Sequence, residues 1–550
     1  MEERREHSYI PTLKQQFAEG KVDRREFLRT ATLLGVSAGA AYAFVGKVTG
    51  EDFTKPAKAA MPKGGTMRVS MRILAVTDPH TFSWATDSNQ VRQVCEYLTK
   101  TGTDNVTRPY LLESWEASDD LKTWTLHVRK GIKWHNGRDF NAKDVAWNLN
   151  HVLDADVGSS VLGLMKGYML NEVGEGDAKT TELWSANAIE IIDDYTVRIN
   201  AKQAQLAVPE HMFHYPFLIL DPEEDGKFGV GSNGTGAFNL VRQEVGKIAV
   251  LEARDDYWGD GPYLNSVEFH DLGDDSSAAL GAIASKQVHG LDTADVLSLD
   301  ALKAMPHLTI HEVTTAQTGV ARMKPIGPFA DPKVRKAMRL AIDTEKVLQA
   351  AYRGLGSAGE HHHVSPIHPE YYKQPFMGQD IAAAKALLAE AGHPDGIEAE
   401  IVIQPVSWEQ AAVQAMVEMW KEASINININ IKPSAQYWET WAKVPFGFTS
   451  WTHRPLGVMV LGLAYRAGVP WNESSYDNPE FDRLLTKAEG ILDVEARRKI
   501  MQQLETIMQE DGPIVQPLWR SVFTAMDKKV RGFEMHPTSY LFANEWALES

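Results

Sequence analysis

The chain has 550 residues, 43% hydrophobic, 23% charged and 9% aromatic, the balance of an ordinary globular protein. Its formal charge of −17, with no concentrated basic segment, excludes nucleic acid and anionic membrane as natural partners, because nothing is placed to neutralise phosphates. The single cysteine, Cys95, excludes an intramolecular disulfide and any CxxC metal or redox centre, and its apolar surroundings read as a buried, inert thiol.

Taken in chain order, the first signal is Asp23-Arg24-Arg25-Glu26-Phe27-Leu28-Arg29, followed by an apolar run over 31–45 rich in Gly and Ala. This is the pattern of a twin-arginine export signal, which implies the twin-arginine translocase as a partner during export. The run is about 15 residues, short of the ~20 that span a bilayer. Ala57-Lys58-Ala59 supplies a small-x-small cleavage site, so 1–60 reads as a leader and the remainder as a protein of the periplasm. An uncleaved amphipathic anchor is the alternative. Residues 61–550 exceed the length that one hydrophobic core usually serves, so two or more lobes are expected.

A strand is expected over 67–73 and another over 124–129, each with alternating polarity. Asn141 is placed to cap a helix through Val145, Leu149 and Val152. Residues 189–199 read as two strands around an Asp193-Asp194 turn. Asp331-Pro332 opens a helix ending near Ile342, and 379–391 gives another, stopped by Gly392. Then 398–404 reads as a strand, 409–422 as a helix, and Ile425-Asn426-Ile427-Asn428-Ile429-Asn430-Ile431 as a strand of period two. Strand, helix and strand at this spacing form a right-handed βαβ unit with parallel strands. A final helix covers 494–509, stopped by Gly512-Pro513. The fold class is α/β, in several lobes.

Two motif matches carry no chemistry. Gly35-Val36-Ser37-Ala38-Gly39 fits the hydrolase nucleophile elbow but lies inside the leader. Gly229-Val230-Gly231-Ser232-Asn233-Gly234 fits the dinucleotide fingerprint, yet it leads into Thr235-Gly236-Ala237-Phe238 and no helix, so it reads as a turn. An exported hydrolase, the rival from another class, thus has no nucleophile motif or HExxH to support it.

The strongest signal is composite. Pro109-Tyr110-Leu111-Leu112-Glu113-Ser114-Trp115-Glu116 is followed by Arg129-Lys130-Gly131-Ile132-Lys133-Trp134-His135-Asn136-Gly137 and Phe140-Asn141-Ala142-Lys143-Asp144-Val145. Next come Gly234-Thr235-Gly236-Ala237-Phe238 with Arg254-Asp255-Asp256-Tyr257-Trp258, and Asp331-Pro332-Lys333-Val334-Arg335-Lys336-Ala337 through Ala341-Ile342-Asp343. Ala384-Lys385-Ala386-Leu387-Leu388-Ala389-Glu390-Ala391-Gly392 and 476–484 complete the series. In this order the blocks resemble the periplasmic solute-binding proteins of ABC transporters, in the dipeptide/oligopeptide/nickel-binding family (family 5).

The resemblance implies a two-lobed periplasmic-binding-protein clamp with an extra subdomain, mixed sheets flanked by helices, and a hinge between the lobes. It implies lobe I over 61–105, 222–319 and 520–550, the extra subdomain over 106–221, and lobe II over 320–519. The expected activity is capture of a small organic ligand, peptide-like or otherwise anionic, and delivery to ABC permease subunits in the inner membrane. Binding without catalysis, a monomer and no cofactor are expected. A nickel or metal-chelate binding protein of the same family is an alternative.

Candidate ligand contacts lie in 447–457, which faces ligand in the family. Peptide-binding relatives usually place an aspartate there to hold a free α-amino group, but no acidic residue occurs from Val444 to Asn472, and Arg454 and Arg466 stand instead. A guanidinium presents a planar fork suited to a carboxylate or phosphate. Beside Arg454 and its neighbour His453, the aromatic residues Trp451, Trp408, Trp471 and Tyr437 are candidates for the ligand wall. Trp438 and Trp441 read equally as core or cleft. His361, His362 and His363, with His368 nearby, read as a metal cluster, a cleft-edge contact or a solvated loop, since adjacent imidazoles on an extended loop rarely meet one ion.

Overall fold

The computed structural model describes residues 6–53, 60–174 and 180–549, so the Ala57-Lys58-Ala59 cleavage triplet lies outside the described residues. One mixed sheet runs through both halves of the body. Its strands lie in the order Phe238–Glu244, Ile248–Ala253, Ser266–His270, Thr66–Ser70, Gly290–Leu291, Ile514–Asp527, Leu308–Met323, Phe446–Trp451, Ile397–Ile403 and Ile425–Ile431. The two long strands, Leu308–Met323 and Ile514–Asp527, pair antiparallel and carry the chain from one lobe to the other. Their ladder slips between Thr314 and Gln317 and again between Gly319 and Ala321, irregularities that bend a strand pair. Gly290 pairs with Met526 at one end of this ladder, and Phe446–Trp451 pairs with Met323–Thr318 at the other. The molecule is therefore two-lobed, as expected.

Local rules account for the elements. Asn141 caps helix Ala142–Leu153, with Asp144 closing a reciprocal capping box. Asp144 also accepts the indole N–H of the fully buried Trp134 at 3.2 Å and Arg138 Nη1 at 2.8 Å, which ties the Trp134–Asp144 block into one turn. The helix packs on a separate antiparallel sheet of Leu112–Ala117, Thr123–Val128, Thr196–Asn200 and Ile189–Asp193. Gly234 is a close approach: a Cβ there would collide with the carbonyl of Val94.

The βαβ unit forms as expected, with Ile397–Ile403 and Ile425–Ile431 parallel around helix Ser407–Glu422. Ile425 and Ile427 point to the core while Asn426 and Asn428 face out, because helix Ser407–Glu422 covers one face of this edge strand. No described helix is long and apolar enough to cross a membrane. Ser37 of the nucleophile-elbow match caps helix Ala38–Thr49, and the Gly229–Gly234 match is a turn, with Ser232 N–H donating to Gly229 O. Cys95 is buried, and burial raises its thiol pKa well above the usual range.

One buried carboxyl gives this core a pH dependence. Glu505, on helix Val494–Glu510, accepts the Tyr372 N–H at 3.2 Å. Burial, with Glu360 and Glu370 nearby, pushes its pKa up to about 9. A pKa raised on folding contributes stability that is present below the unfolded value and lost as pH rises towards the folded one. Glu505→Gln is therefore expected to stabilise the protein by about 3 kcal/mol at pH 7 and to have little effect near pH 4. Urea titrations across that range check this.

Candidate ligand-binding cavity

A cavity of about 420 Å³ lies between the lobes. It sits where parallel strands end. Ser70–Arg72 follow Thr66–Ser70, Leu272–Ser276 follow Ser266–His270, Asp292–Val296 follow Gly290–Leu291, and Gln404–Gln410 follow Ile397–Ile403. Ligands of open α/β sheets bind outside the carboxyl ends of their strands, where loops can vary without disturbing the sheet. Gln317 and Arg520, from the two crossing strands, form part of the wall, and Arg520 Nη2 donates to Gln317 Oε1 at 2.7 Å.

Four of the seven candidate residues line this cavity: Arg454, Trp451, Trp408 and Trp471. Trp451 ends strand Phe446–Trp451, and its indole N–H donates to Glu473 Oε1 at 2.9 Å. Glu473 Oε2 in turn accepts Thr449 Oγ1 and Arg322 Nε, both at 2.6 Å. Trp408 stands at the start of helix Ser407–Glu422, edge-on to Tyr352, with the Arg520 guanidinium 4.7 Å above its ring. Trp471 meets Trp451 at 5.8 Å and Tyr215 at 5.4 Å.

The structure places the other three elsewhere. Arg466 Nη2 donates to both carboxylate oxygens of Glu489 at 2.8 Å, a structural ion pair outside the cavity. Tyr437 is fully buried, its hydroxyl donating to Phe448 O at 2.7 Å. His453 is buried too; its Nδ1 accepts the Ala316 N–H at 3.1 Å, and its Nε2 meets Asn105 Oδ1 at 3.2 Å. In each case a partner distant in sequence claims the polar group.

Trp438 and Trp441 both line the cavity, and Trp84, which the pattern of the sequence did not single out, lies opposite them. Trp84 stacks on Trp438 at 6.2 Å with planes 16° apart, joining the two lobes. The aromatic wall continues from Trp438 through Trp441 to Trp471 and Tyr215. Trp84 follows the first strand as Trp408 follows a later one, so the strand-end rule that selects Trp408 would have found it. Trp84→Ala is expected to weaken ligand affinity roughly three- to tenfold, the scale of one lost aromatic pair. Titration by intrinsic fluorescence measures it.

The wall carries Asp274, Asp275, Asp292, Asp295 and Glu409 against Arg72, Arg454 and Arg520. Arg72 pairs with Asp271 at 2.9 Å and with Asp274, while Asp295 accepts the Ser407 hydroxyl at 2.6 Å. Burial raises the carboxyl pKa values of Asp292 and Glu409 to about 7 each, which holds both partly neutral. Arg454 differs. It is 4% exposed, and among the described residues no carboxylate pairs with it. Its Nη1 is taken by the carbonyls of Thr452 and His453 and by Thr452 Oγ1, whereas Nε and Nη2 have no partner. Both atoms are buried, with the guanidinium 5.3 Å from the centre of the Tyr215 ring, so this unpartnered edge, the side that can bind a carboxylate or phosphate with two parallel hydrogen bonds, is shielded in the present conformation.

The histidine cluster is neither solvated nor gathered around one point. His361 Nδ1 accepts the Gln516 N–H, His362 Nδ1 that of Val364, and His363 Nδ1 meets the Tyr465 hydroxyl at 2.6 Å. All three are buried. His368 Nε2 donates to the carbonyl of Arg454 at 3.0 Å and so fixes the backbone that carries its guanidinium. One other group brings potential metal-ligand atoms together among the described residues: Asp78, His80 and His151. It lies outside the cavity wall, and its imidazoles hydrogen-bond each other at 2.8 Å, with His80 Nε2 donating to Leu218 O.

Comparison with known proteins agrees with this architecture. The chain is 25% identical over 495 residues to Heme-binding protein A of Haemophilus influenzae, covering 83% of this chain and 87% of that one. The dipeptide binding protein from Pseudoalteromonas sp. SM9913, solved with Met-Leu, matches at a TM-score of 0.78 and 20% identity over 88% of this chain and all of the other (100%). AgaA from A. tumefaciens R10, solved with agropinic acid, matches at 0.78 and 21% identity over 88% and 99%. The profile of the bacterial extracellular solute-binding proteins, family 5 (middle), matches residues 107–461, more than half of the chain. A two-lobed body with its cavity at the strand ends, together with that match, makes the chain a member of the family 5 bacterial extracellular solute-binding proteins.

Proposed function

We propose that this protein captures a small anionic organic ligand between its lobes in the periplasm and delivers it to the permease subunits of an ABC transporter. The observation that carries the anionic reading is Arg454, a buried cation in the cavity wall whose Nε and Nη2 are unpartnered and which has no carboxylate partner among the described residues. A buried charge is costly unless it is paired, so the cavity is complementary to a ligand that brings the counter-charge. Trp451, Trp471, Trp408, Trp84 and Trp438 give the rest of the ligand flat apolar surfaces. Two structural neighbours, solved with Met-Leu and with agropinic acid, support a small peptide-like or acidic ligand. The cavity volume of about 420 Å³ suits ligands of that class.

The division into lobe I (61–105, 222–319 and 520–550), an extra subdomain (106–221) and lobe II (320–519) belongs to the same reading. So do export through the twin-arginine translocase and a monomeric state. Native mass spectrometry of protein taken from its own periplasm tests the reading. The expected result is an added mass of roughly a few hundred daltons, lost on mild denaturation, whose released species is an acid. Release of a cationic ligand, or of nickel or zinc alone, would overturn it.

A further inference from the structure

The N-terminal helices Ile10–Ala18, Arg24–Leu33 and Ala38–Thr49 pack on the body. Glu26 accepts Nε and Nη2 of Arg29 at 2.8 and 2.9 Å, and Nη2 of Arg497 at 3.0 Å. Arg497 belongs to helix Val494–Glu510, and its Nη1 donates to Ile491 O at 2.7 Å. Arg29 Nη1 reaches Glu210 at 3.3 Å. All four charged side chains are buried. Burial opposes ionisation of Glu26, yet the guanidiniums of Arg29 and Arg497 outweigh it and hold its pKa down to about 2.

Further bonds fasten the same segment. Trp115 Nε1 donates to Leu33 O at 2.8 Å, Tyr42 OH to Asp104 Oδ2 at 2.5 Å, and Gln16 Nε2 to Asp493 Oδ2 at 2.9 Å. Ala31, Leu33, Leu34, Ala41 and Val45 of the apolar stretch are buried. Arg24 and Arg25 are exposed. Within two turns of one helix the charges thus divide, the arginine pair outward and the Glu26–Arg29 pair inward.

We infer that the surface holding Trp115, Glu210 and Arg497 is a docking site for the chain's own residues 6–53, which displays the arginine pair on a folded body while the apolar stretch is packed away. The specific features are chemical. Arg497 and Glu210 bring one charge of each sign to the site, and the segment answers with Glu26 and Arg29 in complementary positions. A leader held only by apolar contact would need no such match. For export, the translocase would meet Arg24 and Arg25 first, and the helices would have to be released before the apolar stretch could insert. That last step rests on the export reading above; the docking does not.

Hydrogen exchange followed by mass spectrometry, on the full-length chain purified from the cytoplasm of an export-blocked host, tests the docking. Amides in 27–33 and 41–49 are expected to exchange at least about 100-fold more slowly than in an unstructured peptide. Arg497→Met and, separately, Trp115→Phe are expected to speed exchange there while leaving 397–431 protected. Exchange of 27–33 and 41–49 at the unstructured rate in the unaltered chain would overturn the docking, whatever the variants do. Undiminished export after both Arg24 and Arg25 are changed to lysine would overturn the display role alone, with the exchange result unaffected.

Discussion

Replacing Arg454 with alanine is expected to weaken binding of the natural ligand about 10- to 150-fold, the equivalent of one charge-assisted hydrogen-bonding group at 1.5–3 kcal/mol. The fold should survive, because Arg454 takes no part in a carboxylate pair among the described residues; its side chain bonds to Thr452 and His453 and lies 5.3 Å from the Tyr215 ring. Calorimetry with the released ligand measures the loss, and thermal unfolding verifies the fold. The lysine variant separates charge from geometry. Lysine keeps the charge but not the planar two-donor edge, so Arg454→Lys should recover only part of the affinity. Arg454→Asp should go further and reject the acid, since two carboxylates would then meet. Unchanged affinity in the alanine variant would show that the anionic group binds elsewhere.

Glu473→Ala, which acts behind the wall, is expected to destabilise the fold by about 3–5 kcal/mol, because it leaves the guanidinium of Arg322 buried without its counter-charge. Arg322 is fully buried, and its other nitrogens are held by the carbonyls of Val444 and Trp441. The same substitution removes the acceptors of Thr449 Oγ1 and the Trp451 indole N–H. Affinity should fall together with stability, since Trp451 would lose the bond that sets its ring angle. Glu473→Gln, which keeps the shape and one acceptor oxygen, should recover ring placement more than stability. Denaturant titration and ligand binding on the two variants distinguish these effects.

Local structure was legible wherever a short stretch carries its own reason. Asn141 with Asp144 states a helix start, and the Ile/Asn alternation of 425–431 states a strand with one face on the core. The crossing strands carry no such alternation, because from Thr315 onward Leu308–Met323 is buried on both faces. Its partner, Ile514–Asp527, lies nearly two hundred residues further along the chain, and only the family resemblance pointed to a hinge between lobes. The cavity was legible in part for the same reason. Residue type marks Arg454 and Arg466 alike, yet Glu489, a full helix away, decides that one guanidinium is spent and the other unpaired. Glu473 stands just past the acid-free stretch from Val444 to Asn472, and nothing local shows that it turns back to hold Trp451. The N-terminal segment reads as a removable leader from its composition. Its packing on Arg497 and Glu210 could be seen only once both ends of the chain were in place.

Because a single hydrogen-bonded ladder passes through both lobes, the two halves are not tethered bodies free to swivel; they are the two arms of one spring. The ladder is interrupted at Thr314 to Gln317 on one strand, opposite Arg520 and Ser521 on the other, and an irregularity of this kind bends a strand pair. Gln317 and Arg520 bond each other there and also face the cavity. A ligand that touches that part of the wall therefore touches the strands that join the two arms.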